Sequence, residues 1–386
     1  MHQSVPTTNA AAIALAIALV ALVGVSLSLS VPLLSMGMER MGVTGTLNGL
    51  NTATAGVANL AVVPFVPALA AAIGVRRLLC AAILLGLVTT LLFPLLAFPF
   101  WFPLRFLLGA SLGVLFVLSE YWINATAAPS QRGMVMGIYA TVLALGFAAG
   151  PALLSVVGTL GWTPYVLSAA LFGLALLPLG LGRGKVPEFA GDGGKGHNVF
   201  SFVRLAPTAT IAALVFGAVE TGAFSLLPVY GTRTGLDEAS AAQLVSILAL
   251  GNVLFQIPVG WLSDRIDKRL VLLACGTSGA LGAAVMPLVA GDPVPFRVGL
   301  LIFGGLVGGL YTVGLAHLGQ RYTGRDLASA NAAFVMLYSA GLILGPPFIG
   351  VSMDAFGTSG LAAGLSALLA GYAGLALWRI LTSRHS

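Results

Sequence analysis

Along this chain, apolar runs of roughly twenty residues alternate with short breaks of glycine, proline or charge. A hydrocarbon core of about 30 Å takes about 20 apolar residues per helical crossing, so each run predicts one membrane-spanning helix. The first six fall at 10–35, 46–70, 78–98, 102–125, 133–158 and 163–182. The longest polar break, RGKVPEFAGDGGKGHN from Arg183 to Asn198, reads as a linker. Six more helices follow at 204–230, 239–262, 270–290, 297–319, 327–352 and 359–380. The expected division is an N-terminal six-helix half (1–182), a cytoplasmic linker (183–203) and a C-terminal six-helix half (204–386). The first run is too long for the apolar core of a signal peptide and no basic flank precedes it, so it is read as the first helix.

The two halves carry the same landmarks. Asn59 and Asn252 lie 193 residues apart, as do Arg76 and Arg269. Pro151 and Pro346 lie 195 apart, and Pro32 and Pro228 lie 196 apart. Half of the 386 residues is 193, so the pattern is that of a duplication.

Composition agrees with a lipid solvent. Apolar residues make up 58% and charged residues 8%, with a mean hydropathy of +1.01. A soluble domain carries about 25% charge, which this chain has too little of to cover a water-facing surface. The net charge of +6 does not point to nucleic acid, because the bases sit in short breaks between apolar runs. With both termini in the cytoplasm, fourteen bases fall on the cytoplasmic side and four (Arg40, Arg105, Arg233, Arg297) on the other. Cys80 and Cys275 each lie in an apolar run and form no paired motif. No metal-ligand spacing, nucleotide loop or catalytic cluster is present in the sequence, so neither an enzyme nor a bound metal or cofactor is expected.

The break after the eighth predicted helix reads GWLSDRIDKR, Gly260 to Arg269. It resembles the signature G-x-L-x-D-R-x-G-R-R of major facilitator transporters, with Asp267 at the second glycine and Lys268 at the first of the final bases. The first-half copy ends in Gly74, Arg76 and Arg77 but has Ala71 and Ala72 where the family has Asp and Arg. The resemblance implies an all-α integral membrane fold of twelve transmembrane helices in two six-helix halves related by pseudo-twofold symmetry. It also implies alternating access, with Gly260, Asp264, Arg265, Arg269, Gly74, Arg76 and Arg77 as a cytoplasmic gate in which Asp264 latches the outward-facing state.

The fifth predicted helix spaces Gly137, Gly146, Gly150 and Pro151 in a way that resembles the antiporter signature of proton-coupled drug exporters, although Leu154 and Ser155 replace its last two glycines. The eleventh repeats part of it as Gly341, Gly345, Pro346 and Gly350, so close helix packing is the alternative reading. Arg105 opens the fourth helix as in the family's R-x-x-x-G motif; it either faces a cavity or reaches out to the interface.

Ionisable groups within apolar spans are functional candidates. Glu220 on the seventh helix and Glu120 on the fourth are candidate proton carriers, and His317 on the tenth is a third. For Glu120 the alternative is a structural pair with Arg132 or another cytoplasmic base, for Glu220 a substrate-facing or structural carboxylate with no proton role, and for His317 packing. Asn48, Asn51, Thr52 and Asn59 share one face of the second helix, lining a cavity or gluing helices. Arg105, Asn51, Asn59, Trp122, Tyr139, Tyr311 and Tyr338 are the substrate-cavity candidates.

The expected protein is a secondary transporter, monomeric, in the cell membrane (a bacterial inner membrane), with protons, a small molecule and the lipid bilayer as its partners. Proton-coupled export of a small amphipathic or cationic compound is the leading expectation, since buried bases for an anion are scarce. Proton-coupled uptake of a nutrient or metabolite is the alternative.

Overall fold

In lipid the backbone must satisfy its own hydrogen bonds, and the apolar runs do so as helices. The computed structural model describes residues 9–128, 131–182, 205–322 and 324–382; the expected linker lies outside these residues. The first half comprises α1 (Ala10–Arg40), α2 (Gly45–Val62), α3 (Val66–Ile73), α4 (Val75–Leu92), α5 (Trp101–Thr126), α6 (Arg132–Val157), α7 (Thr163–Leu174) and α8 (Leu176–Leu181). The second comprises α9 (Pro207–Arg233), α10 (Glu238–Arg265), α11 (Lys268–Val289), α12 (Pro293–Arg321), α13 (Gly324–Phe356) and α14 (Gly360–Thr382). Among the described residues, eleven stretches are long and apolar enough to cross a membrane. The last, Ser329–Thr382, holds both α13 and α14, joined through a turn with Gly357 at φ 59°.

Proline breaks the second predicted helix. Pro64 and Pro67 cannot donate to the preceding turn, and a 3₁₀ turn (Val63–Phe65) separates α2 from α3. Gly74 then takes φ 88°, a conformation that costs glycine little, and α4 starts at once. Arg76 and Arg77, expected in a loop, therefore sit in the first turn of α4.

The chain forms two compact units: Met1–Ser30 with Val57–Gly193, and Val31–Gly56 with Gly194–Ser386. The division passes through α1 and α2, so the end of α1 and the start of α2 belong with the second unit. In the first unit α4 packs on α5 and α7; in the second α9 packs on α13, α10 on α12, and α11 on α12 and α14.

Small residues set these approaches. A Cβ on Gly341 or Gly345 of α13 would overlap backbone atoms of Leu214 or Ala218 on α9. The duplication extends to single contacts. A Cβ on Gly113 would strike Asn59 Oδ1, and one on Gly308 would strike Asn252 Oδ1. Likewise Gly86 faces Phe172 and Ser111, while Gly279, 193 residues on, faces Leu369 and Val307. Each half thus packs asparagine against glycine at the same place.

Candidate functional site

The tight crossing of α9 and α13 brings Glu220 and Tyr338 together. Gly217 lies against the Tyr338 carbonyl, and the Tyr338 hydroxyl donates to Glu220 Oε2 at 2.8 Å. Phe216 is one turn before Glu220 and stacks on Tyr338, with centroids 5.9 Å apart and rings at 23°. Tyr311 of α12 meets Phe216, Tyr338 and Phe334 at 5.3, 5.6 and 5.1 Å. Glu220 also lines a cavity of about 20 Å³ with Asn252, Phe303 and Gly304, and among the described residues no basic one lines it. That is room for about one water molecule. A carboxylate with one hydroxyl partner amid aromatic rings suits a proton or an organic cation, which ring faces also attract.

The candidates of the first unit are more dispersed. Glu120, on α5, accepts from the Tyr139 hydroxyl of α6 at 2.9 Å. The Arg132 side chain lies outside the described residues. Trp122 is fully buried, and Gly182 lies against it. Arg105 is buried, with Nε unpartnered among the described residues. Serines missing from the candidates tie α1 to α7: Ser168 Oγ lies 2.7 Å from Ser26 Oγ and 3.0 Å from Ser30 Oγ.

The polar face of α2 divides at the unit boundary. Asn59 packs in the first unit. Asn48, Asn51 and Thr52 are buried in the second. There Asn48 donates to the Ser35 carbonyl at 2.9 Å, and Ser225 Oγ sits between Thr52 (2.9 Å) and Ser35 (3.1 Å). Asn51 has both side-chain polar atoms buried and unpartnered among the described residues.

Beyond this network, at the end of the second unit where α1 stops and α2 starts (the distal end), lies a cluster that the sequence reading missed. Arg233 donates to both Glu39 oxygens at 2.8 and 2.9 Å, and Arg40 to both Glu238 oxygens at 3.0 and 2.9 Å. Asp354 accepts from Gly45 N, Thr46 N and Thr46 Oγ1 at 2.7, 2.8 and 2.6 Å. A carboxylate there answers the partial positive charge of the α2 N-terminus. Asp237 likewise caps α10, and its bonds from Ser240 hold its carboxyl below the usual range. The available signal was an acid beside each of Arg40 and Arg233 in a neighbouring break; counting only bases for orientation passed it over.

The gate candidates are loosely held by comparison. Nothing within 4 Å would meet a Cβ on Gly260. Asp264 is 78% exposed and lies 3.9 Å from Lys268 Nζ. The Arg265 guanidinium stands 3.7 Å over the Trp261 ring. Asp267, the departure from the family signature, caps α11 by accepting from Arg269 N at 2.9 Å. Arg76 has a buried Nε without a partner among the described residues. His317 is buried and lines a different cavity from Glu220, shared with Arg269, Arg321 and Arg379.

On α6 the glycine strip is uneven. A Cβ on Gly150 would overlap Ser28 Oγ and lie 2.6 Å from Leu29 N and Val25 O, whereas one on Gly146 would sit at an ordinary 3.6 Å and one on Gly137 would meet nothing. Gly150, with Pro151 next to it inside the helix, makes the tightest approach of the three to α1, while the Gly146 carbonyl accepts from Ser28 Oγ of α1 at 3.0 Å. Gly150→Val should therefore destabilise the protein by about 1–3 kcal/mol. Gly146→Ala should leave stability unchanged or slightly raised, since alanine is the better helix former. Thermal unfolding of both variants in detergent checks this; an equal loss in both would mean that the strip acts as one surface.

The sequence profile described as Major Facilitator Superfamily matches residues 13–253 and 209–386. An MFS-type transporter of Bacillus subtilis (strain 168) is 27% identical over 343 residues, 86% of each chain. Another, from Escherichia coli O139:H28 (strain E24377A / ETEC), is 26% identical over 259 residues, 66% of each chain. Among solved structures, the nucleoside transporter NupG superposes with a TM-score of 0.76 at 17% identity, covering 96% of this chain and 98% of its own. A bacterial homologue of the human lysosomal transporter Spinster, inward-facing and unoccupied, gives 0.76 at 15% identity and 96% of each chain. Both structural likenesses concern the fold.

Proposed function

This chain belongs to the Major Facilitator Superfamily and is a membrane transporter, and from that premise we propose that it exports a small amphipathic or cationic compound in exchange for protons by alternating access. The observation that carries the reading is Glu220. It is a carboxylate inside a membrane span, held by a tyrosine hydroxyl, packed among aromatic rings, and beside a cavity that no basic side chain lines among the described residues. Such a group can hold a proton or a cation in turn, and each displaces the other because one negative charge cannot serve both in a low dielectric. An anionic substrate would want an arginine or lysine at that place. The bias of bases toward one set of breaks supports cytoplasmic termini.

The test is proton flux in proteoliposomes carrying a pH-sensitive dye, with a panel of lipophilic cations added on one side. The expected result is substrate-dependent proton movement that saturates and reverses with the gradient. Saturable transport of a panel compound that moves no protons would overturn the coupling; movement of substrate and protons in the same direction would establish uptake instead.

A further inference from the structure

The second unit carries another cavity, of about 310 Å³, at the end opposite the Glu39–Arg233 pair. Four elements distant in sequence converge on it: the first turn of α9 (Pro207, Thr208), Arg269 of α11, His317 and Arg321 of α12, and Arg379 of α14. Arginines that merely marked topology would spread outward into water and headgroups. Here three guanidinium groups line one space, and no carboxylate lines it among the described residues. Of the two acids nearest in sequence to Arg269, Asp267 caps α11 by accepting from Arg269 N and Asp264 lies toward Lys268; neither lines the cavity. The N-terminus of α9, a 27-residue helix with no side-chain cap, faces the same space and adds its partial positive charge. A second observation is independent of these charges. His317 is 94% buried, its ring lines the cavity, and its Nδ1 has no partner among the described residues.

Like charges gathered in one space repel, and a buried polar nitrogen left unpaired costs about 1–3 kcal/mol. An anion answers both, since its oxygens accept from the guanidinium forks, the imidazole and the helix N-terminus. We propose that this cavity binds a phosphate group, supplied by an anionic lipid headgroup or by a free phosphate or phosphate ester at that face of the membrane. The volume exceeds that of a bare phosphate ion and accommodates the ester that carries it. The proposal is independent of the transport reading, because no residue of the Glu220 cavity takes part.

The test measures thermal unfolding of the full chain in neutral detergent with inorganic phosphate against chloride at matched ionic strength, and in nanodiscs of phosphatidylcholine with and without phosphatidylglycerol. The expected result is a rise of a few degrees with one source or both, lost in Arg321→Gln/Arg379→Gln and reduced in His317→Phe. A rise with phosphate in detergent identifies a free anion; a rise with phosphatidylglycerol alone identifies a headgroup. Arg265→Gln, which removes a charge that does not line the cavity, should keep the response. No rise in the wild-type chain, or a rise that Arg265→Gln weakens as much as the double variant does, would overturn the site.

Discussion

Valine at Gly49 is expected to open the distal end of the second unit and stop transport. Gly49 of α2 lies against the Pro346 carbonyl of α13, and an added Cβ would also stand 2.7 Å from Pro347 N. One turn further along α13, Gly350 lies against the Gly45 carbonyl. Every atom in the way is backbone, so no side-chain rotation can make room. The clash exists only while α2 and α13 are together at this end. Alternating access, as proposed, would part them once per cycle, and the substitution would then penalise one state and leave the other untouched. Overpacking of about 1–3 kcal/mol corresponds to a shift of about 5- to 150-fold in that equilibrium. The Glu39–Arg233 and Arg40–Glu238 pairs favour the closed end but are partly exposed, which limits each to about 1 kcal/mol or less. They are already formed in the unsubstituted chain, so they add nothing against the new clash. The measurement is maleimide labelling of Asn51→Cys, a fully buried position, in a background lacking Cys80 and Cys275. Labelling should rise several-fold while turnover falls. Unchanged labelling with normal turnover would show that the two helices do not need this contact.

Glu220→Gln should abolish accumulation of substrate against a proton gradient and weaken binding of a cationic substrate, since the same carboxylate is proposed to hold each in turn. Glutamine keeps the shape of the side chain and can still accept from Tyr338, so folding and the aromatic packing should survive. What it loses is the ability to take up and release a proton, and the negative charge that would hold a cation. Tyr338→Phe, which removes only the hydrogen bond, should shift the pH dependence of transport and lower its rate without breaking the coupling. Purified protein with wild-type thermal stability and no proton-driven uptake into inverted vesicles is the expected outcome. Wild-type accumulation in Glu220→Gln would remove this carboxylate from the coupling and leave Glu120, with Tyr139 as its partner, as the remaining acid to test.

Much of the architecture was legible because lipid is an undemanding solvent to predict. The helical fold and the approximate ends of the long helices followed from apolar run length, and the duplicated landmarks from the spacing of Asn59 and Asn252, Arg76 and Arg269, and two pairs of prolines. Asn59 meets Gly113 as Asn252 meets Gly308, at nearly the same offset between the halves, since one packing solution serves both. The second predicted helix needed more attention to Pro64 and Pro67, whose missing donors split it before Gly74.

The sequence by itself determined that this chain lies in a membrane, that it belongs among transporters, and that Glu220 and Glu120 are the acids to ask about. Run length, charge scarcity and spaced motifs are local properties and survive without coordinates. Which groups face one another was decided by the tertiary structure. Tyr338 is 118 residues from Glu220, Asp354 is 309 from Gly45, and Arg233 is 194 from Glu39. Helical periodicity shows on which face of its own helix a side chain lies; it carries no information about which other helix will meet that face. That choice rests on where glycines let backbones touch, as Gly341 and Gly345 do on α9, and the touching is a property of two segments at once.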